Sequence, residues 1–180
     1  VLDKNFIILD GLLSEEELRP IKDLLDLRKM PFYWHEDIDY DEGGSDQYNF
    51  GFSHQLFNKY DNTYSSFVDS YSCVVVNACS RVGVEFDELL RMRLVLLTNV
   101  GAQHRNRPHV DLKNTPDYMT LVYYPEDTDG NFVVLSPDGE HEIEPKANRC
   151  IVMPKPILHH GAHPMTHKRR IVLNANITVQ

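Results

Sequence analysis

"RRIVLNANITV", residues 169–179, sets two arginines at the head of an otherwise largely apolar run. An arginine turned inward at the start of a buried strand is costly unless it holds an anion; the plainer alternative is that both are solvated at the strand entrance. Upstream, "LLRMRLVLLTN" (89–99), "YMTLVYYPE" (118–126), "NFVVLS" (131–136), "HEIEP" (141–145) and "RCIVMP" (149–154) read as further short strands. The turn pairs Asp129-Gly130 and Asp138-Gly139 punctuate them. The first half reads differently. "NFIILD" (5–10) has strand character, and Ser14 and Glu17 have capping-box spacing for a helix over "SEEELRPIKDLLDL" (14–27). Pro20 sits late for a first-turn proline, which moves the expected helix start towards it. Tyr64, Phe67, Val68, Tyr71, Val75, Ala78 and Val82 recur as one face of a second helix, ending at Gly83. Helices followed by strands predict an α+β, mainly β fold: an antiparallel sandwich or barrel supported on one face by N-terminal helices.

A chain of 180 residues, 42% of them hydrophobic, fills one core and is short for two. We expect a single domain over 1–180, with helical support and an entrance loop over 1–88 and the strand-built core over 89–180. No apolar run reaches membrane-span length and the N-terminus lacks signal-peptide features, so no membrane partner and a cytoplasmic location are expected, although the initial valine leaves room for a trimmed targeting segment. The net charge of -9, with acids gathered in "HEDIDYDEGGSD" (35–46), repels phosphate backbones and argues against nucleic acid; "HKRR" is too small a patch to reverse this. Cys73, Cys79 and Cys150 build neither a disulfide framework nor a Cys-x-x-Cys zinc motif, which points to a reducing compartment. Residues 28–54 read as a long loop with short strands, and loops that long usually carry function.

"NRPHVDLKN" (106–114) supplies the chemistry. Alternate residues at a strand end point the same way, so His109 and Asp111 present an imidazole and a carboxylate to one side of a metal. Two histidines and one carboxylate, with three positions left open, form the facial triad of non-haem Fe(II) oxygenases. The third ligand is offered by "PILHHG" (156–161), as His159 or His160, with His159 lying 50 residues beyond His109. A zinc cluster using His163 and His167 at i,i+4 spacing is a competing use of this stretch, but Gly161 and Pro164 oppose a helix there. An oxygenase drawing electrons from 2-oxoglutarate also needs a cation for the distal carboxylate of that co-substrate, and the fork of an arginine provides it.

"PHVD", "MTLVYYPEDTDG", "IEPKANRCIVMPKPILHHGAHP" and "RRIVLNANI" follow one another in an order that resembles the Fe(II)/2-oxoglutarate-dependent dioxygenases of the prolyl-4-hydroxylase-like branch, particularly the compact versions common in bacteriophage genomes. The resemblance covers residues 90–178 well and 5–60 more loosely. It implies a double-stranded β-helix (jelly roll), Fe(II), 2-oxoglutarate and O2, with release of succinate and CO2 and hydroxylation of an unactivated C–H bond. His109 and Asp111 then become iron ligands. His159 is the third in the register with a proline five residues on (Pro164) and an arginine eleven on (Arg170), whereas the register with proline four residues on selects His160. Arg170 is the 2-oxoglutarate anchor in either register, with Arg169 pointing away. Tyr124 joins it at the distal carboxylate, and Tyr123 packs against the helices. "DTDGNF" (127–132) lacks the second glycine and the Glu-Thr pair of the family's turn, a departure that bears on subfamily and substrate. His104, His141 and His35 read as loop or surface residues, and Trp34 as core or as a residue at the mouth of the site. The substrate stays open among a protein side chain, a peptide and a small molecule, with the acidic 35–46 stretch hinting at a basic or neutral target. Two alternatives stand beside this reading: a non-catalytic jelly-roll binding or virion-associated protein, and a cupin-type metalloenzyme that would need a third histidine near the first pair and has no use for Arg170. The oligomeric state is not legible.

Overall fold

The computed structural model describes residues 4–26, 29–38 and 47–180, so most of the acidic stretch, residues 39–46, lies outside the described residues. The elements run β1 (Ile7–Asp10), α1 (Glu15–Asp26), β2 (Tyr33–His35), β3 (Gly51–Asn58), β4 (Thr63–Tyr64), α2 (Asp69–Val82), β5 (Phe86–Thr98), β6 (Met119–Tyr124), β7 (Phe132–Ser136), β8 (Gly139–Ile143), β9 (Arg149–Met153), β10 (Leu158–Gly161) and β11 (Arg169–Val179). The large sheet has the order β1-β9-β6-β11-β5-β3-β2, with β4 on β3, and the small one β10-β7-β8. The pairings are antiparallel, and the whole is the mainly β, jelly-roll arrangement expected from the strand-rich second half.

Local chemistry sets the helix ends. The Ser14 amide donates to Glu17 at 2.9 Å and the Glu17 amide to Ser14 Oγ at 3.3 Å, so the capping box starts α1 at Glu15. Pro20 therefore lies inside the helix rather than near its start, a correction to the sequence expectation. Two caps satisfied at the N-terminus outweigh one donor missing in the second turn. The second helix also starts later than its apolar spacing suggests. Tyr64 belongs to β4, opposite Phe57, and is exposed, while Gly83 at φ 75° ends the helix with its amide on Cys79 O.

Strand alternation splits the core in two. On one face of the large sheet Leu94, Leu121, Tyr123, Ile171 and Leu173 pack under Ile21, Leu25, Tyr71, Val75 and Ala78 of the helices. On the other, Val122, Tyr124, Ile151, Met153 and Val172 meet Phe132, Val134 and Ile143 of the small sheet. Neighbouring tyrosines thus part company: Tyr123 faces the helices, its hydroxyl 3.2 Å from Asn148 Oδ1, and Tyr124 faces the space between the sheets. At the edge of that space Gly130, at φ 92°, lets the β6–β7 connection approach the chain after β10, where a Cβ would stand 2.5 Å from Ala162 O.

Candidate active site

Between the sheets, His109 and His159 exchange both backbone hydrogen bonds at 3.0 Å, an isolated antiparallel bridge that brings their rings to 4.8 Å. His109 Nδ1 lies 2.9 Å from Arg107 O and His159 Nδ1 2.8 Å from Ile157 O. Each Nδ1–H donates to a carbonyl, which leaves the Nε2 lone pairs for a metal. Asp111 Oδ2 stands 3.7 Å from His159 Nε2, and one ligand atom from each of His109, Asp111 and His159 falls within 4.8 Å of the others. Two imidazoles and a carboxylate on one side of a cleft are a donor set that fits iron. His160, next along β10, turns away from this group and is itself buried, with its Nδ1 unpartnered. Among the described residues no other cluster of three such side chains forms, so the third histidine a cupin-type site requires is not found with them. His163 and His167 do not meet: His163 Nδ1 faces Thr98 O at 2.9 Å, while His167 is exposed and bonded to Asp129, which removes the zinc alternative.

A row of polar side chains cradles Asp111. Thr120 on β6, Asn176 on β11 and Arg91 on β5 stand opposite one another in register. Arg91 Nη2 donates to Asp111 Oδ1 at 2.8 Å; Asn176 Nδ2, Asn174 Nδ2 and Thr120 Oγ1 donate to Oδ2 at 3.0, 3.2 and 3.2 Å. Burial alone pushes the Asp111 carboxyl up, but the charges of His159, Arg91, His109 and Arg93 outweigh it and hold the group below the usual carboxylate range. Burial pushes His159 down, against the opposing pull of Asp111, which suits a neutral metal ligand. Arg91, Thr120 and Asn176 were not singled out from the sequence. The available signal was the alternation along β11, which carries Asn174 and Asn176 on the face of Arg170.

Arg170 is 3% exposed. Its Nη2 donates to the Tyr124 hydroxyl at 2.8 Å, and its Nε has no partner. A buried guanidinium with a donor to spare is a group built for an anion. Arg169 turns outward to Glu126, at 2.9 and 2.7 Å, as alternation expects. Arg170 and the His109, Asp111, His159 group line the same solvent-open cleft, with Val122, Phe132 and Val172 among its apolar walls. Trp34 is 53% exposed and stacked on Phe50, so it is not a core residue.

The model of the 2OG-Fe(II) oxygenase superfamily matches residues 95–178, the stretch that supplies all five of these side chains. This part of the chain is a 2OG-Fe(II) oxygenase domain. The superfamily uses Fe(II), 2-oxoglutarate and O2, so the protein is an oxidoreductase. Solved structures similar in fold include a 2OG-Fe(II) oxygenase family oxidoreductase from Burkholderia pseudomallei (13% identity, TM-score 0.71, 96% of this chain and 85% of that one). Others are a Pseudomonas putida prolyl-4-hydroxylase (12%, 0.65, 96% and 92%) and a Trichoplax adhaerens prolyl hydroxylase in complex with a hypoxia inducible factor peptide (11%, 0.69, 98% and 85%). No curated protein sequence matches the chain significantly. Among the described residues no helix of this oxygenase is long and apolar enough to cross a membrane.

Proposed function

We propose that His109, Asp111 and His159 hold the iron, that Arg170 and Tyr124 hold the distal carboxylate of 2-oxoglutarate, and that the enzyme hydroxylates a C–H bond of a protein side chain, peptide or small molecule with release of succinate and CO2. The observation that carries this reading is the shared cleft: a His-Asp-His group and, beyond it, a buried arginine with an unpartnered donor. When bound, iron and 2-oxoglutarate supply the oxidising chemistry. The protein's own part is positional. The two carbonyl contacts at Nδ1 orient the imidazoles, the Arg170 fork would hold the distal carboxylate of the co-substrate, and Val122, Phe132 and Val172 make the interior wall apolar. The cytoplasm is the compartment we assign, because all three cysteines are free.

The test is release of labelled CO2 from 1-¹⁴C-2-oxoglutarate by the Fe(II)-loaded protein, with and without added peptide and small-molecule pools. Iron-dependent release, stimulated by one pool, is expected and identifies the substrate class. No release under any condition, from protein that binds Fe(II), would contradict the reading.

A further inference from the structure

Three side chains beside the cleft form a row whose polarity is set at one end. Asn49 Nδ2 donates to Asp37 Oδ1 at 2.7 Å, and Asn106 Nδ2 donates to Asn49 Oδ1 at 3.0 Å. An ionised carboxylate accepts hydrogen bonds and has none to give, so Asn49 turns its NH2 towards Asp37 and its carbonyl oxygen towards Asn106. Asn106 then turns its own NH2 towards Asn49. Reversing either amide would set two acceptors against each other at hydrogen-bonding distance. The backbone holds the row in place: the Ile38 amide donates to Asn49 O at 3.0 Å and the Asn106 amide to Gly161 O at 2.8 Å. Asn49 is 2% and Asn106 5% exposed. What is left over is Asn106 Oδ1. Among the described residues nothing donates to it, and it is not sealed from solvent. Asn106 borders the cleft that contains His109, Asp111, His159 and Arg170, so this is the space the oxygen addresses.

We propose that Asn106 is a specificity-determining residue: its Oδ1, locked as an acceptor through Asn49 by Asp37, selects a substrate that brings an N–H or O–H donor into the cleft. The inference rests on the iron and 2-oxoglutarate reading above. The co-substrate is not the partner of this oxygen, because its two carboxylates and keto oxygen are all acceptors. A fixed acceptor in the cleft therefore addresses the other reactant. A substrate without the donor leaves the amide oxygen unpaired or facing another acceptor, which costs binding. An amide free to turn would offer NH2 or C=O as each substrate required. One whose orientation is imposed discriminates, and Asp37 is the positioning residue that imposes it.

The experiment uses two matched pairs of probes: N-methylacetamide against N,N-dimethylacetamide for an amide N–H, and tert-butanol against its methyl ether for a hydroxyl. Each is titrated into protein loaded with Zn(II), a diamagnetic replacement for Fe(II), and with 2-oxoglutarate, and is followed at the Asn106 side-chain amide by ¹⁵N NMR. We expect a donor-bearing probe to bind at least about five-fold more tightly than its methylated counterpart. The pair that shows the preference tells a peptide-like N–H from a hydroxyl. Asp37→Asn, whose new amide donates as well as accepts, frees the row to turn and should cut the preference below about two-fold. Asn106→Leu, of similar shape, should abolish it; if that variant does not fold, the wild-type preference and Asp37→Asn decide. Equal affinity within both pairs, tighter binding of a methylated member, no binding by any probe, or a preference that survives in Asp37→Asn would overturn the proposal. The metal-free protein gives a reading that needs no ligand: the Asn106 NH2, bonded to Asn49, should exchange with solvent at least about ten-fold more slowly than a free side-chain amide, and exchange at the free rate would overturn the orientation. Failure of 2-oxoglutarate to bind the metal-loaded wild type removes the parent reading, and this inference with it; normal 2-oxoglutarate binding without a preference between probes counts against Asn106 only.

Discussion

Arg170 and Tyr124 meet at 2.8 Å from diagonal positions on β11 and β6: Leu173 pairs with Tyr123, which leaves Tyr124 two residues short of the position opposite Arg170, and both side chains enter the space between the sheets. The tyrosine hydroxyl satisfies one donor of a guanidinium that is otherwise prepared for an anion. Arg170→Lys retains the charge and loses the fork, so it should raise the dissociation constant for 2-oxoglutarate by about ten-fold or more. Isothermal titration of the metal-loaded protein measures this, and an unchanged constant would place the anchor elsewhere.

Gly161 lies flat against that guanidinium, and a Cβ there would stand 3.0 Å from Arg170 Nη2. Its neighbour is the end of a flexible side chain, so Gly161→Ala should fold normally, displace the guanidinium and weaken 2-oxoglutarate by about ten-fold while Fe(II) binding holds. Gly130→Ala is a contrasting case. Its φ of 92° and the 2.5 Å approach to Ala162 O leave backbone on both sides, and we expect a stability loss of about 2 kcal/mol or more in urea unfolding.

His159 and His160 are adjacent in sequence and opposed in space. His159→Ala should abolish stoichiometric Fe(II) binding, and His160→Ala should leave it intact, as read by metal content after dialysis. Equal binding by the two variants would refute the assignment.

Asp111→Ala does two things at once. It removes a ligand, so turnover is lost, and it strips the partner from a nearly buried Arg91. Breaking such a pair costs about 3 kcal/mol, a sizeable part of the roughly 5–15 kcal/mol of a typical domain. The variant should therefore stay folded with a clearly lowered unfolding midpoint, and a midpoint equal to the wild type would contradict the buried pair.

Burial pushes His35, His159 and His160 below the ordinary imidazole value, which in the unfolded chain is about 6.5. The unfolded state then binds more protons as pH falls, so this contribution to the stability of the metal-free protein is complete above about 6.5 and is lost as pH drops through the folded values. Asp111, depressed as a carboxylate, adds its loss only below about 4. Urea midpoints between pH 7.5 and 5 check this. His160→Gln should flatten the slope, and an undiminished slope would assign the loss to other groups.

The strand-rich second half and the capping box at Ser14 were legible because each rests on short-range chemistry: alternation and a cap spacing. Arg170 at a strand head was equally compatible with solvation, and its inward turn was implied by the resemblance rather than by its neighbours in sequence. The choice between His159 and His160 was not settled by spacing, since it depends on which residue of β10 bridges to His109, a long-range pairing. Arg91 was missed for the same reason. On a strand, an arginine two residues from another looks like surface charge until β11 and the Asp111 loop close over it. The start of α2 failed because Tyr64 continues the apolar helical spacing while β4 claims it for the sheet.

The most direct measurement is an anaerobic titration of the metal-free protein with Fe(II), then 2-oxoglutarate, watching for the visible charge-transfer band of the chelate. The account predicts a band at one iron per chain that vanishes in His109→Ala. Iron bound without a band, or a band that survives in His109→Ala, would contradict it.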